Sequence, residues 1–572
     1  MATLQLITKP DGPTSSSGKS NLTLRERLEK RFESAKQVRK PYDADYAEIE
    51  RLCLPSRTSM GGAGLKRRAN TTKQDTAGII AGRTLVHGLA TGLSSASRVW
   101  FKLRTPEPEL NEYAPVKEWL HATERKIYNF FSSTNYYDAA KVAYSQLAHM
   151  GFACTLATEH SEYMAVYHAF DHGEVWIAED DGLRVTSMFY QTNYSVDQMV
   201  RKFPWTKLTK TVRDAYDKGN TQLQVPVMCV IEKNNDRDKA KLDTANKAYR
   251  SVWWECGQND KNVILKQGGF DSQPFTAPRW ETMGSEVYSS SSPGFNALPD
   301  LRELEFAARR KGRAMDMMVR PPLFIPAGVQ QTMLSLDPGS MNFINELQGK
   351  IDRFTPDPNV GQWIANDIDR ITRRVNQLFY ADLWMAVTDM EGIQPRNEQE
   401  LMYRNEEKLT QLGPVVDRVN IEKLEVDIDR AYQILDNLGL IDPAPPELQG
   451  RPLEVAFVSI LAQAQLATSN SAIERAAQFV GFLTGMYPDA AIKFDAEQAI
   501  DEFASNSQTS PKIIRSDEIV AEMKEQMAQA AQQKQMMEMA PAAAQGAQAA
   551  ELLSRTQVGP EGGSMLDQML GA

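Results

Sequence analysis

Residues 297–322 read ALPDLRELEFAARRKGRAMDMMVRPP, and the two ends of that run predict one long helix. Pro299 suits a first helical turn, where its missing N–H is not needed, and Pro321 with Pro322 forbids continuation past Val319. The helix from Leu298 to Val319 is then roughly 30 Å long at 1.5 Å per residue. A second helix is predicted from about Val360 to Trp384, where Ile364, Ile368, Ile371, Val375 and Leu378 recur at intervals of three and four. The stripe expected to pair with it is Leu301, Leu304, Ala308 and Met315. A compact, turn-punctuated stretch from Pro321 to Pro358 separates the two helices.

Upstream, residues 1–22 hold the run Ser15-Ser16-Ser17 and no apolar segment, so a disordered leader is expected. Thr23 and Glu26 have capping-box spacing ahead of Leu24, Leu28, Phe32 and Ala35, which predicts a helix up to Pro41. Further helices are predicted over Tyr42–Leu54, Asp75–Leu93, Val116–Phe131 and Tyr137–Met150. From Phe152 the pattern shifts to β-branched and aromatic runs at Ala153–Glu159, Met164–Phe170, Glu174–Ala178, Val225–Ile231, Ser251–Glu255 and Val263–Lys266. They read as a mostly antiparallel sheet, interrupted by helices at Ser195–Phe203 and Thr206–Lys218. Downstream, a loop over Asp389–Arg396 leads to a long helix capped by Asn397 and Glu400, bent at Gly413-Pro414 and ending near Leu438. Val455–Leu483 and Asp495–Phe503 are predicted helical, and the tail from Ile513 is rich in Ala, Gln and Met.

At 572 residues the chain has length for two to four subdomains. A net charge of -10 argues against gripping nucleic acid over the whole surface, because phosphate neutralisation needs clustered Lys and Arg. Cys53, Cys154, Cys229 and Cys256 lack paired spacing and read as free thiols of a reducing compartment. No stretch of about 18 apolar residues predicts a membrane span.

Thr84-Leu85-Val86-His87-Gly88-Leu89-Ala90-Thr91-Gly92-Leu93, followed by Trp100-Phe101-Lys102-Leu103, resembles the N-terminal signature of the head-to-tail connecting (portal) proteins of short-tailed double-stranded DNA phages. Pro278-Arg279-Trp280, Gly284-Ser285-Glu286-Val287-Tyr288, Ala297-Leu298-Pro299-Asp300, Pro321-Pro322-Leu323, Leu412-Gly413-Pro414-Val415 and Leu461-Ala462-Gln463-Ala464-Gln465 continue the similarity in order, over roughly Arg25 to Met523. Gln394 to Glu400 departs from it, where relatives often carry a Thr-rich helix start.

The resemblance implies a predominantly helical α+β portal fold assembled as a ring. In that frame 23–297 is the wing, 298–320 the first stem helix, 321–358 the clip and 359–384 the second stem helix. A channel loop occupies 385–396, a long bent wing helix 397–440, the crown 441–510, and 511–572 a tail that forms a helical barrel or stays disordered. The implied function is a dodecameric, non-enzymatic ring at the head–tail vertex of the virion, built in the host cytoplasm. Through it the genome enters and leaves. The implied partners are the terminase large subunit, the head–tail adaptor and tail proteins, the major capsid and scaffolding proteins, and duplex DNA without sequence specificity. No cofactor and no membrane are implied.

Arg309, Arg310, Lys311, Arg313, Arg370, Arg373, Arg374 and Arg396 are the candidates for touching DNA in the channel. Contacts to phosphate carry no base information, which suits a sliding duplex. The alternative is that they are solvated or salt-bridged helix faces. Catalytic and metal chemistry finds no motif. Gly61-Gly62-Ala63-Gly64 near Lys66 lacks the spacing of a phosphate loop. His168 and His172 have no CxxC companion, and Asp367 with Asp369, like Asp427 with Asp429, point in different directions from a helix. Of Trp253 and Trp254, alternation on a strand turns one inward and one outward. A DNA-processing packaging enzyme and a non-portal internal virion protein are the competing readings, favoured by metal-dependent cleavage and by absence of a ring respectively.

Overall fold

The computed structural model describes residues 22–55, 75–107, 110–111, 113–238, 240–241, 243–257, 263–326, 335–344, 352–353, 358–385, 412–457, 460–485, 487, 493–506, 520–530, 548 and 551–552. It divides into two compact units: Met1–Leu103, Thr123–Pro443 and Glu454–Ala464 in the first, and Arg104–Ala122, Ala444–Leu453 and Gln465–Ala572 in the second.

The first unit opens with helices α1 (Leu24–Arg39), α2 (Asp43–Cys53) and α3 (Ala77–Leu93). Thr23 caps α1 in a full capping box, accepting from the Glu26 N–H while the Glu26 carboxylate accepts from the Thr23 N–H at 2.8 Å. Strand β1 (Phe101–Arg104) and helices α4 (Ala114–Ser133, of which the part from Thr123 belongs to this unit) and α5 (Tyr136–Met150) follow. The strands come next: β2 (Thr155–His160), β3 (Met164–Ala169), β4 (Val175–Glu179) and β5 (Val185–Ser195), then helices α6 (Val196–Lys202) and α7 (Lys210–Asp217), then β6 (Gln224–Lys233), β7 (Tyr249–Glu255), β8 (Lys266–Phe270) and β9 (Phe275–Thr276).

Two antiparallel sheets result, one in the order β4-β5-β6-β7-β8 and one in the order β3-β2-β9. Register explains the faces of the larger sheet. Phe189, Val230 and Val252 stand opposite one another across β5, β6 and β7. They are buried with Trp254 and Trp176 against Leu28 and Ala35 of α1. The next row, Tyr190, Cys229 and Trp253, falls on the opposite face, as period-two alternation requires. The helical excursion α6–α7 closes one end of that face, burying Val196, Met199, Phe203, Leu208 and Val212 with Val227. Trp253 is therefore half-buried on one face while Trp254 sits in the core on the other.

Helix α8 (Pro293–Val319) then runs for 27 residues, longer than the predicted helix by its first five. The predicted start at Leu298 missed the cap: Ser292 accepts from the Phe295 N–H at 3.4 Å, Pro293 takes the first turn, and Pro299 lies inside the helix. Strands β10 (Leu323–Pro326), β11 (Met341–Ile344) and β12 (Asp352–Arg353) form a small sheet with β10 in the middle, parallel to β11 and antiparallel to β12. Helix α9 (Pro358–Leu378) stops short of the predicted end at Trp384. Tyr380 takes a left-handed φ of 53°, and a separate short helix α10 (Ala381–Met385) follows.

The predicted helix start at Asn397 lies outside the described residues. From residue 412 helix is present, passes through a π-turn at Asn420–Leu424 and continues as α11 (Glu425–Asn437). Strand β13 (Glu454–Phe457) occupies the start of what the sequence predicts as a helix from Val455, and helix begins only at α12 (Ile460–Thr484). Two other expectations fail on the strands. Val263–Lys266 ends where β8 begins, and β5, the longest strand, was not anticipated.

In the second unit, the Arg104–Ala122 stretch, the bulk of α12, and α13 (Ala496–Asn506) carry the regular structure, with a further helix at 520–530. Phe479 and Phe482 on α12 are exposed. The four cysteines are free thiols. Among the described residues, no helix is long and apolar enough to cross a membrane.

Candidate channel-lining hairpin

Helices α8 and α9 pack against each other as an antiparallel hairpin. At one end Arg374 of α9 pairs with Asp300 and, at 3.7 Å, with Glu303 of α8. At the other, Met318 of α8 lies beside Gly361 of α9. Leu301 and Leu304 on α8 and Ile371 and Val375 on α9 are all buried, and Leu301 also packs on Gly78 of α3. Ala307, not the predicted Ala308, completes the stripe on α8, and Met315 is exposed. The two helices pack on each other within a single chain, and Ile364, Ile368 and Leu378 are half-buried on α9.

The base of the hairpin is set into the first unit by very close backbone approaches. A Cβ on Gly294 would lie 2.0 Å from the His149 carbonyl oxygen, and one on Gly88 would lie 2.2 Å from the Trp384 ring. Only glycine leaves room for either contact. The Ser292 hydroxyl donates to the same His149 carbonyl at 3.1 Å, and Arg302 binds Glu48 at 2.9 Å and Asp45 at 3.8 Å. Its hydrogen bonds hold the Glu48 carboxyl below the ordinary carboxylate value.

Beyond Ala307 the character of α8 changes, for no further residue of the helix is buried. Between Arg309 and Arg320 it carries five cationic residues and one acidic residue, Asp316, against a chain that is net negative. Arg302, Arg309, Arg313 and Arg320 recur at steps of seven, four and seven, so they share one side of the helix, away from Leu301 and Leu304. Phe306, Met315 and Val319 on α8 and Trp363 on α9 are also exposed.

The eight sequence candidates divide into three groups. Arg309 pairs with Glu305 at 3.2 Å, Arg313 with Asp337 at 2.7 Å, Arg370 with Asp367 at 2.7 Å, and Arg374 with Asp300. Arg310 lies over the Phe306 ring at 3.9 Å, and it, Lys311 and Arg373 are exposed without a carboxylate partner among the described residues. Arg396 lies outside the described residues.

Sequence reasoning missed the cluster that fixes the rest of the unit. Arg279 is buried and donates to Glu422 at 2.7 Å, Glu179 at 2.9 Å and the Leu183 carbonyl at 2.8 Å, while its own N–H donates to Glu422 at 2.9 Å. It thereby clamps the π-turn before α11 to the edge strand β4. One turn on, Lys423 and Asp427 form a buried pair at 2.7 Å, with the Lys423 ammonium 5.4 Å from the centre of the Tyr136 ring. Arg279 meets carboxylates 100 and 143 residues away, which leave no local signal. His172, one of the rejected zinc candidates, is a core residue whose Nε2 meets the Phe152 carbonyl at 2.9 Å, and burial pushes its pKa down to about 3.

Residues 25–514 match the family described as bacteriophage head to tail connecting protein. The portal protein of Salmonella phage epsilon15 is 33% identical over 519 residues, covering 90% of this chain and 93% of its own length. A probable portal protein of Bordetella phage BPP-1 is 32% identical over 522 residues, covering 89% and 93%. Among solved structures, the neck of an empty gene transfer agent particle aligns over 70% of this chain and 86% of its own at 10% identity, with a TM-score of 0.35, too low to carry an argument.

Proposed function

Because this chain belongs to the family of bacteriophage head to tail connecting proteins, we propose that its portal role is carried out by a ring of twelve copies at the head–tail vertex of the virion. In this reading the hairpin α8–α9 is the stem, the small sheet β10–β12 belongs to the clip, and the two-sheet region with α1 to α5 is the wing. The ring nucleates capsid assembly with scaffolding and major capsid proteins in the host cytoplasm. It docks the terminase large subunit at the clip during packaging, and later holds the adaptor and tail.

One observation carries the reading. Towards its C-terminal end the long helix leaves its own core and exposes Phe306, Met315 and Val319 as well as a cationic ridge. Apolar side chains that a single chain leaves open are what a lateral, heterologous contact between neighbouring copies would cover, and such contacts close into rings by rotation. Cations on the remaining face would meet phosphates without reading bases, so the duplex slides. Arg310, Lys311 and Arg373 are the best candidates, since no carboxylate among the described residues neutralises them. Arg309, Arg370 and Arg374 act mainly within the hairpin, Arg313 ties it to Asp337 beside the small sheet, and Arg396 is a candidate at the constriction.

The test separates assembly from transport. Lys311→Gln with Arg373→Gln should leave ring formation intact on native mass spectrometry while changing packaged DNA length or retention. Unchanged packaging with the double variant would assign both residues to structure.

A further inference from the structure

A cavity of about 670 Å³ opens between the β3-β2-β9 sheet and the outer face of the larger sheet, away from the hairpin. Its volume lies in the range of small-molecule sites. Its walls are apolar and aromatic, with Leu156, Phe170, Tyr190, Tyr194 and Trp253 prominent. Four cationic side chains reach it and only two carboxylates. Lys247 is matched by Asp271 at 2.7 Å and Arg430 by Glu159 at 3.1 Å. That pairing leaves Lys202 and Lys266 without a carboxylate among the described residues.

Lys202 stands where a free lysine would not be expected to rest. Its ammonium lies 4.4 Å from the centre of the Tyr194 ring and 4.3 Å from that of Trp253, and it hydrogen-bonds the Tyr194 hydroxyl. Partial burial, and then the neighbouring Lys266 ammonium, lowers its pKa from the ordinary lysine value. The Arg430 guanidinium, packed over the Phe270 ring, has a buried Nε with no hydrogen-bond partner. Aromatic rings can hold a cation in place, but they do not cancel the repulsion between two of them.

We infer that this cavity binds a small organic anion, a phosphate or carboxylate carried on a planar or apolar body, with Lys202 and Lys266 holding the charge and the aromatic wall the body. The anion removes the repulsion between the two ammoniums, and the aromatic wall gives its body an apolar surface to pack on. Neither lysine belongs to the hairpin.

The experiment is calorimetric titration of the full-length assembled protein with phenyl phosphate, benzoate, neutral benzyl alcohol and inorganic phosphate. Phenyl phosphate, benzoate or both should bind, and benzyl alcohol should not. The stronger of the two anions tells whether the natural ligand is a phosphate or a carboxylate. Lys266→Gln, at an exposed position where folding is not at stake, should weaken binding about tenfold or more, the loss expected when a hydrogen bond to a charged group is removed. Lys202→Gln should do the same, and Lys210→Gln, outside the cavity, should change nothing. Equal binding of benzyl alcohol and the anions, full affinity in Lys266→Gln, or no heat with either aromatic anion would each overturn the assignment.

Discussion

Replacing Arg279 by Met removes the one cation that two carboxylates share. The guanidinium is 3% exposed, and Glu179 and Glu422 are 12% and 17% exposed at their side chains. Deleting one partner of a buried pair strands the other charge and costs about 3–5 kcal/mol. Here the lower end is expected, because the Arg279 N–H still donates to Glu422 and both carboxylates reach some water. About 3 kcal/mol corresponds to roughly two orders of magnitude in a local opening equilibrium. Hydrogen exchange resolves that equilibrium segment by segment, which suits a chain of two units better than one global melting curve. The π-turn Asn420–Leu424 and strand β4 should exchange about a hundredfold faster in Arg279→Met, with α1 unchanged. Arg279→Lys should recover less than half of the loss, since an ammonium cannot bridge two carboxylates with a planar fork. A change of less than about 1 kcal/mol in the Met variant, the range of exposed pairs, would refute the claim that this clamp holds the long helix to the sheet.

Ile371→Asp places an unpaired carboxylate at a fully buried position of α9 and should destabilise the hairpin by at least about 3 kcal/mol, read as loss of soluble folded protein or of exchange protection in α8. Gly88→Ala forces a methyl group into the Trp384 ring and should cost about 1–3 kcal/mol, partly restored by Trp384→Leu in a double-mutant cycle. Burial raises the Glu124 pKa to about 7, so the folded state holds this proton more tightly than the unfolded chain. Its stabilisation is full below the unfolded carboxylate value near 4.5 and is lost as pH rises through about 7, a difference on the order of 3 kcal/mol. Glu124→Gln, which keeps an acceptor for the Leu103 N–H, should flatten that slope when denaturant stability is compared across this window.

Much of the helical framework could be read from caps and periodicity, because those signals are local. Thr23 with Glu26 places the start of α1, and Ile371 with Val375 lies on the buried face of α9. The start of α8 was misread because two prolines compete for the first turn. Pro299 is the one within the apolar periodicity, while Ser292-Pro293 is the one that caps. Strand β5 was missed since its residues are buried at one end and half-exposed at the other, which blurs a period of two. The hairpin cations were legible as residues, but their division into paired and unpaired groups depends on Glu305, Asp337 and Asp300, whose proximity only the fold creates. Arg279, within Pro278-Arg279-Trp280, gave no hint of the carboxylates it joins. Nor did Lys202 of α6 and Lys266 of β8, which line one cavity although they are 64 residues apart in the chain.

Electron cryomicroscopy of the purified full-length protein bears most directly on the portal reading. Closed rings with an axial hole, whose inner wall is built from α8 and α9 of successive copies and presents Lys311 or Arg373 to the opening, are the predicted result. Monodisperse single chains, or rings in which that helix pair lies away from the axis, would contradict it.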